Sequence, residues 1–458
     1  MYIDCGLWYD KHKKPRQRRR TFERENKSFG LCPHGGAAFV RLWAEERNGG
    51  CDPGSGGHSV CCPEQYGSSV STGVTPEQFG AKGDGIADDL QALQAAMQQA
   101  SASGQPLELM AGAVYRFSSC LGLPSGLTIQ GNGAVLLSDI QYPDLKEDRV
   151  AVELMKDSDD DRAHDVRLEN VTFRAADSCQ ANYMLRVMLA RNVEFVGCTF
   201  ECEPNEWGRG AADLYGGNEN IRFEGCVFRQ MTSGASGGIW VRNWTDRVES
   251  RNIRFQNCEF YKSGADELLA VWGWGGAVRD VVLSGCSFYE TQTQEALDAD
   301  HRPAWFITLG QSGTTDVRME DCTVRAEYCE TIFRMVGDKT RAVVDNCDIT
   351  MKQPDSMAEH DMKKGANPML ARGNDRADGS TVIQNSRITL SGDNGRRICY
   401  QLSALKGNTL DVSLGYGIAS TKEVSGNTIR GRIRHKVFQD CSGVENNNVE
   451  VRRFSILG

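Results

Sequence analysis

A nine-residue phrase recurs seven times between residues 165 and 349, and a fixed period must be read before any local element is assigned. It runs Asn192-Val-Glu-Phe-Val-Gly-Cys198-Thr-Phe200, Asn220-Ile-Arg-Phe-Glu-Gly-Cys226-Val-Phe228 and Asn252-Ile-Arg-Phe-Gln-Asn-Cys258-Glu-Phe260. Asp280 to Phe288, Asp316 to Val324 and Arg341 to Ile349 repeat it, with Cys286, Cys322 and Cys347 in the Cys position. Asp165 to Phe173 is an earlier copy with Val171 there. From Val171 onward the intervals are 27, 28, 32, 28, 36 and 25 residues, one coil of a β-solenoid plus a loop of varying length.

Within a copy, Val193 and Phe195, then Cys198 and Phe200, alternate with polar residues. Alternation at period two marks strands with one buried face. The Gly197 or Asn257 position interrupts the alternation and suits a turn with positive φ. Each copy therefore predicts two short strands around a tight corner. A third apolar strand precedes the next copy: Met184 to Val187, Ile239 to Val241, Leu268 to Trp272, Trp305 to Ile307 and Ile332 to Met335. Three strands per turn, stacked in parallel, make a right-handed parallel β-helix, an all-β fold. One coil cannot bury its own apolar side, so the coils must stack.

The stack extends both ways. Leu127 to Gly131 reads as an earlier rung, and rungs follow at Val382 to Ile388, Lys406 to Leu410, Val424 to Ile429 and Val444 to Val449. Ser386, Asn408, Asn427 and Asn447 take the Cys position there, at intervals of 22, 19 and 20. These coils are tighter and have fewer loops, so function is expected elsewhere.

Glycine, 49 of 458 residues, exceeds the usual ~7% as a turn-dense β protein requires. The net charge of −9 argues against general nucleic-acid affinity. No run of ~18 apolar residues exists, so membrane insertion is not expected. The first residues lack the apolar stretch of a signal peptide, so the chain either does not take that route or has a misjudged start. Six of the 17 Cys occupy one position in successive rungs and read as reduced core thiols. Stacked Cβ atoms at ~4.8 Å rung spacing lie slightly beyond disulfide reach.

Residues 1–73 differ in texture. They carry the basic run Lys11 to Arg20, with Cys5, Cys32, Cys51, Cys61, Cys62, His34 and His58 among Gly and Pro. No Cys-x-x-Cys pair supports a zinc site, and the segment reads as a poorly ordered leader. No metal or cofactor is expected in the protein. At Val74 the pattern changes. Asp88 is a helix-capping candidate, and Leu90, Leu93, Met97 and Ala100 form the stripe of an amphipathic helix over about 88–102. Such a helix plugs the open end of the solenoid, an otherwise adhesive edge. Gly104 to Tyr115 supplies the first strands, so 74–458 is the β-helix domain.

Phe79-Gly-Ala-Lys-Gly-Asp-Gly85, with Asp88, Asp89 and the following helix, resembles the N-terminal signature of the pectate-lyase-like superfamily. Phage tailspikes and polysaccharide depolymerases share it. The resemblance covers about 74–450 and implies the fold, with Gly-Asp-Gly as a turn into the cap helix. The polygalacturonase set Asn-Thr-Asp, Asp-Asp and Gly-His-Gly does not appear on the solenoid face, nor does a clear Ca²⁺ carboxylate cluster. Ordinary pectin chemistry is therefore not expected.

The loops from 200 to 316 are the long ones, and six of the eight Trp fall between 207 and 305. Ring faces stack on the C–H side of a pyranose, while carboxylates bind hydroxyls or handle protons. Candidate catalytic residues are Asp213 on one coil and Asp266 or Glu267 on another. A retaining pair needs carboxyls about 5–5.5 Å apart and an inverting pair about 6.5–9.5 Å. Candidate substrate-binding residues are Trp207, Trp240, Arg242, Trp272 and Trp274, with Arg242 placed to steady a carboxylate or an acidic sugar. Trp240 and Trp272 also lie in apolar runs and fit a core role equally well; Asp300 and His301 are weaker candidates.

The expected function is binding and cleavage of a bacterial surface polysaccharide, hydrolytic or by elimination, by a tailspike-like depolymerase in a virion tail or outside the cell. A homotrimer follows if that reading holds. The alternatives are a non-catalytic glycan-binding β-helix and a bacterial polysaccharide hydrolase or lyase with a misassigned start.

Overall fold

The alternating phrase builds three ladders of parallel strands in the structure, a computed structural model. It describes residues 73–142, 149–155, 162–202, 210–231, 238–243, 248–262, 267–290, 305–353, 368–374, 379–392 and 395–453. The expectations for residues 1–72 lie outside these. The chain forms a right-handed parallel β-helix.

The first half of each copy lies on one face, as in Ala190–Val196, paired in parallel with Ala163–Glu169 and Glu219–Glu224. The second half, as in Thr199–Glu201, lies on a second face fourteen strands deep among the described residues, from Asp84–Asp88 to Asn448–Arg452. The third face stacks Tyr183–Met188, Gly210–Tyr215, Ile239–Arg242 and the starts of Leu269–Ser284 and Trp305–Glu320. Those last two strands run on round the corner into the first face.

Both corners of the phrase need the left-handed region. Between first and second faces it is occupied by Asn170, Gly197, Gly225, Asn257 and Gly285, at φ 52–63°. Near the start of the first face Asp165, Asn192, Asn220, Asn252 and Asp280 adopt φ 53–57°. Asn and Asp tolerate that region because their short side chains bond locally. Here they also bond between coils: Asn192 Nδ2 donates to Asp165 Oδ1 (2.8 Å), Asn220 to Asn192 (2.9 Å) and Asn252 to Asn220 (2.6 Å).

The interior is sorted into columns. Phe173, Phe200, Phe228, Phe260 and Phe288 stack with ring centroids 4.6–4.9 Å apart, and Phe195, Phe223 and Phe255 form a second column at 4.8–4.9 Å. These spacings equal the rung spacing of ~4.8 Å, so register and packing agree. Cys198, Cys226, Cys258, Cys286, Cys322 and Cys347 are buried free thiols. Their Sγ atoms donate to carbonyls of the preceding coil, as from Cys226 to Phe195 O at 3.3 Å. A hydrogen bond shared with Cys322, and burial, raise the Cys347 thiol well above its ordinary value. From Ser386 onward the column turns to amides. Asn408 Nδ2 donates to Ile383 O and to Asn427 Oδ1, and Asn427 Nδ2 to Leu405 O and Asn447 Oδ1.

The N-terminal end departs from expectation. Asp84–Asp88 is the first strand of the second face as well as a turn: only Asp84 and Asp88 pair with Val114–Phe117, and the register shifts between them. Gly83 and Gly85 supply positive φ on either side of Asp84, whose Oδ1 accepts from the Ile86 and Ala87 amides at 2.9 Å. Helix α1 spans Leu90–Ser103, with Asp89 rather than Asp88 at its N-cap. Asp88 Oδ1 accepts from Leu90 N at 3.2 Å. The Asp89 carboxylate turns away to the amides of Lys82 (2.7 Å) and Gly83 (3.0 Å). Leu93, Ala96, Met97 and Ala100 are buried against the first rungs.

The longest interval between successive occupants of the Cys position is the 39 residues from Cys347 to Ser386, so large insertions continue past residue 316. Residues 354–367 of that insertion lie outside the described residues.

Candidate functional site

Strand alternation on the third face decides which side chains leave the core. In Ile239–Arg242, Ile239 and Val241 point inward while Trp240 and Arg242 point outward. Parallel pairing sets one outward column as Arg186, Asp213, Trp240, Ala270, Thr308 and Arg334. A neighbouring column holds Tyr215, Arg242 and Trp272. The register therefore brings together four of the residues named from sequence: Asp213, Trp240, Arg242 and Trp272.

Asp213 is fully buried although it lies on the outward side. Its carboxylate accepts Nε and Nη2 of Arg242 in a fork, each at 2.7 Å, and Nη2 of Arg186 at 3.2 Å. Both guanidiniums are 12% exposed. A planar fork of this kind fixes position as well as charge. The Arg242 guanidinium lies 4.3 Å from the Trp240 ring centroid and 5.0 Å from that of Tyr215. Asp213 thus sets the arginine that in turn fixes two aromatic rings.

Ala270 opposes Trp240 on the next rung. That small residue leaves space for Trp240 to lean towards Trp272, with ring centroids 4.9 Å apart at 33°. Trp274 continues the row 6.4 Å beyond Trp272 and is 52% exposed. Trp240 and Trp272 are half-buried, so neither is a core residue. Their indole N–H groups find no acceptor among the described residues. Two buried donors beside an exposed ring are what a hydroxyl-rich ligand would satisfy.

Glu267 lies two coils beyond Asp213 and is 7% exposed. Thr308 Oγ1 donates to its Oε1 at 2.9 Å, and Arg334 Nη1 stands 3.5 Å from the same oxygen. Arg334 also donates to Gln311 Oε1 at 2.9 Å and lies 4.0 Å from the Trp305 ring centroid. Two rungs at ~4.8 Å each put the Asp213 and Glu267 carboxylates on the order of 10 Å apart. That is wide for a retaining pair and at or beyond the edge of the inverting range. Asp266, Trp207, Asp300 and His301 lie outside the described residues. Among the described residues no group of three His, Cys, Asp or Glu is arranged to hold a metal.

Arg186, Tyr215, Thr308, Gln311 and Arg334 were not singled out in the sequence. The signal was there for two of them. Arg186 and Arg334 are the polar residues within the apolar third-face runs Met184 to Val187 and Ile332 to Met335, and alternation alone turns them outward.

Residues 74–293 match the family described as rhamnogalacturonase A/epimerase, pectate lyase-like. The surface adhesin PfbA of Streptococcus pneumoniae superposes at a TM-score of 0.52 and 15% identity, over 83% of this chain and 91% of its own. The tailspike of E. coli bacteriophage HK620 gives 0.46 and 11% identity over 84% and 83%. A family 28 exopolygalacturonase from Yersinia enterocolitica gives 0.44 and 12% over 84% and 79%. No curated protein matches the chain by sequence.

Proposed function

The chain has the pectate-lyase-like parallel β-helix fold, and we propose that its third face binds a polysaccharide and that Asp266 and Glu267 cleave it. The observation that carries this reading is the row Trp240, Trp272 and Trp274, with two buried indole donors, beside the Asp213–Arg242–Arg186 cluster. Successive rings stack on successive sugars, and the indole N–H groups donate to their hydroxyls. Asp213 is a positioning residue, since its carboxylate is enclosed and matched by two arginines. Glu267 is the carboxylate candidate on the described part of the surface, with Asp266 beside it in sequence. The substrate class is a bacterial surface polysaccharide, met in a virion tail or outside the cell as a tailspike-like trimer meets it. Among the described residues no helix is long and apolar enough to cross a membrane.

A second reading, binding without cleavage, is favoured by one observation: both described carboxylates are already engaged by arginine or threonine. Incubation of the full chain with capsular and O-antigen polysaccharides separates the two. Chain shortening that is lost in Glu267→Gln, with glycan binding retained, supports catalysis. Binding with no new chain ends on any glycan supports the second reading, and neither binding nor cleavage sinks both.

A further inference from the structure

A cavity of about 300 Å³ opens where the third face passes into the first, lined by Arg279, Thr314, Thr315, Lys339, Arg341 and Gly379. Three of these six are cations, in a protein whose formal charge is −9. Arg279 keeps one acidic neighbour, Glu249, at 3.0 Å from Nε. Lys339 and Arg341 have no ion-pair partner among the described residues. Asp316, in register with Arg341, lies outside the lining and forms no ion pair with it. Asp338, next to Lys339, accepts instead from Asn374 Nδ2 at 3.2 Å.

The cavity spans successive rungs of the first face. Val278 pairs with Thr315, Thr314 with Lys339, and Arg341 with Ser380. Arg279 therefore stands one coil before Thr314, and Lys339 and Arg341 one coil after it. A group seated over Thr314 meets cations from both sides at about one rung spacing, ~4.8 Å. The surroundings are fixed. Thr315 Oγ1 donates to Thr340 Oγ1 at 3.0 Å, leaving Thr314 as the hydroxyl on the open side. A Cβ on Gly379 would stand 1.8 Å from the Thr340 carbonyl oxygen, so that wall is close-packed backbone.

We propose that this cavity is an oxyanion site that receives a carboxylate, sulfate or phosphate group and is separate from the tryptophan surface. The Arg341 fork, the Lys339 ammonium, the Thr314 hydroxyl and the Arg279 N–H groups that Glu249 leaves free face a lining without a carboxylate, the donor set that planar and tetrahedral oxyanions require. The volume sits at the small end of ligand sites, enough for a free anion or for one charged sugar.

The test is calorimetric titration of the full chain with sodium sulfate, sodium phosphate, sodium glucuronate and neutral glucose, at ionic strength held constant with chloride. Saturable binding of at least one anion, none of glucose, and at least tenfold weaker anion binding in Lys339→Ala/Arg341→Ala are expected. Both side chains are exposed, so the variant should keep the far-ultraviolet spectrum of the parent. Glucuronate bound tighter than the inorganic anions marks a sugar-borne group, and the reverse order marks a free anion. Trp272→Ala should leave these titrations unchanged, which separates this site from the glycan surface. No saturable anion binding, or binding undiminished in the double variant, overturns the proposal.

Discussion

Replacing Asp213 by Ala removes the anion from a cluster in which two guanidiniums are 12% exposed. Three charge-assisted hydrogen bonds disappear, two at 2.7 Å and one at 3.2 Å. Most of the cost comes from what remains: Arg186 and Arg242 become neighbouring like charges with little water. Breaking a buried ion pair from one side costs about 3–5 kcal/mol. Stacked coils open locally, so a global unfolding midpoint is too coarse a readout for a loss confined to these rungs. Native-state hydrogen exchange of the Gly210–Tyr215 and Ile239–Arg242 amides is the right one. Protection there should fall by roughly two to three and a half orders of magnitude, at 1.4 kcal/mol per tenfold. Amides of Thr428–Ile433 should be unaffected. Adding Arg186→Met and Arg242→Met should restore most of the loss, since a matched apolar set replaces a buried ionic one at little cost. A loss below about 1 kcal/mol in the single variant would show the cluster to be an ordinary solvated surface pair, and Asp213 would lose its positioning role.

Other outcomes follow from the same structure. Trp274→Ala, at an exposed ring, should weaken glycan binding by about tenfold or more with the thermal midpoint unchanged, measured by titration with the bound polysaccharide. Phe228→Ala, in the middle of a fully buried column, should cost about 3–5 kcal/mol by denaturant melting followed at the neighbouring coils. Asn427→Leu strips the acceptor from both Asn408 N and Asn408 Nδ2, and hydrogen exchange should show about 1–3 kcal/mol lost at the 404–429 rungs. Asp84, Asp139 and Asp165 are held below the ordinary 3.8 by the Ala87 and Ile86 amides, the Ser178 hydroxyl with Arg116, and the Asn192 amide with His164, respectively. Their contribution is complete above the ordinary value and is lost as pH falls through the lower folded values. The thermal midpoint should therefore be flat from about pH 7 to 5 and decline below about pH 4.

The repeat made most of the fold legible because the burial pattern and the left-handed corners recur at every coil. Val193, Phe195, Cys198 and Phe200 could be assigned inward, and Gly197 to a corner, from alternation alone. Asp84–Asp88 escaped that logic. Its only apolar residue besides Ala87, Ile86, is 80% exposed, and the segment is held by a carboxylate bonding its own backbone. The site was legible as a region, and less so as roles. Trp240 sat in the run Ile239 to Val241, which reads as core until the period-two alternation is applied to it. The enclosure of Asp213 depends on Arg186, 27 residues earlier, and Arg242, 29 residues later. Only the rung register brings those positions together.

The most direct test of glycan binding on the third face is a hydrogen-exchange footprint of the full chain saturated with a bound surface polysaccharide or its fragments. New protection should be confined to Gly210–Tyr215, Ile239–Arg242 and residues 269–274 and 305–310. Protection that fell instead on second-face strands such as Thr199–Glu201 and Glu259–Lys262, with the tryptophan rungs unchanged, would contradict it.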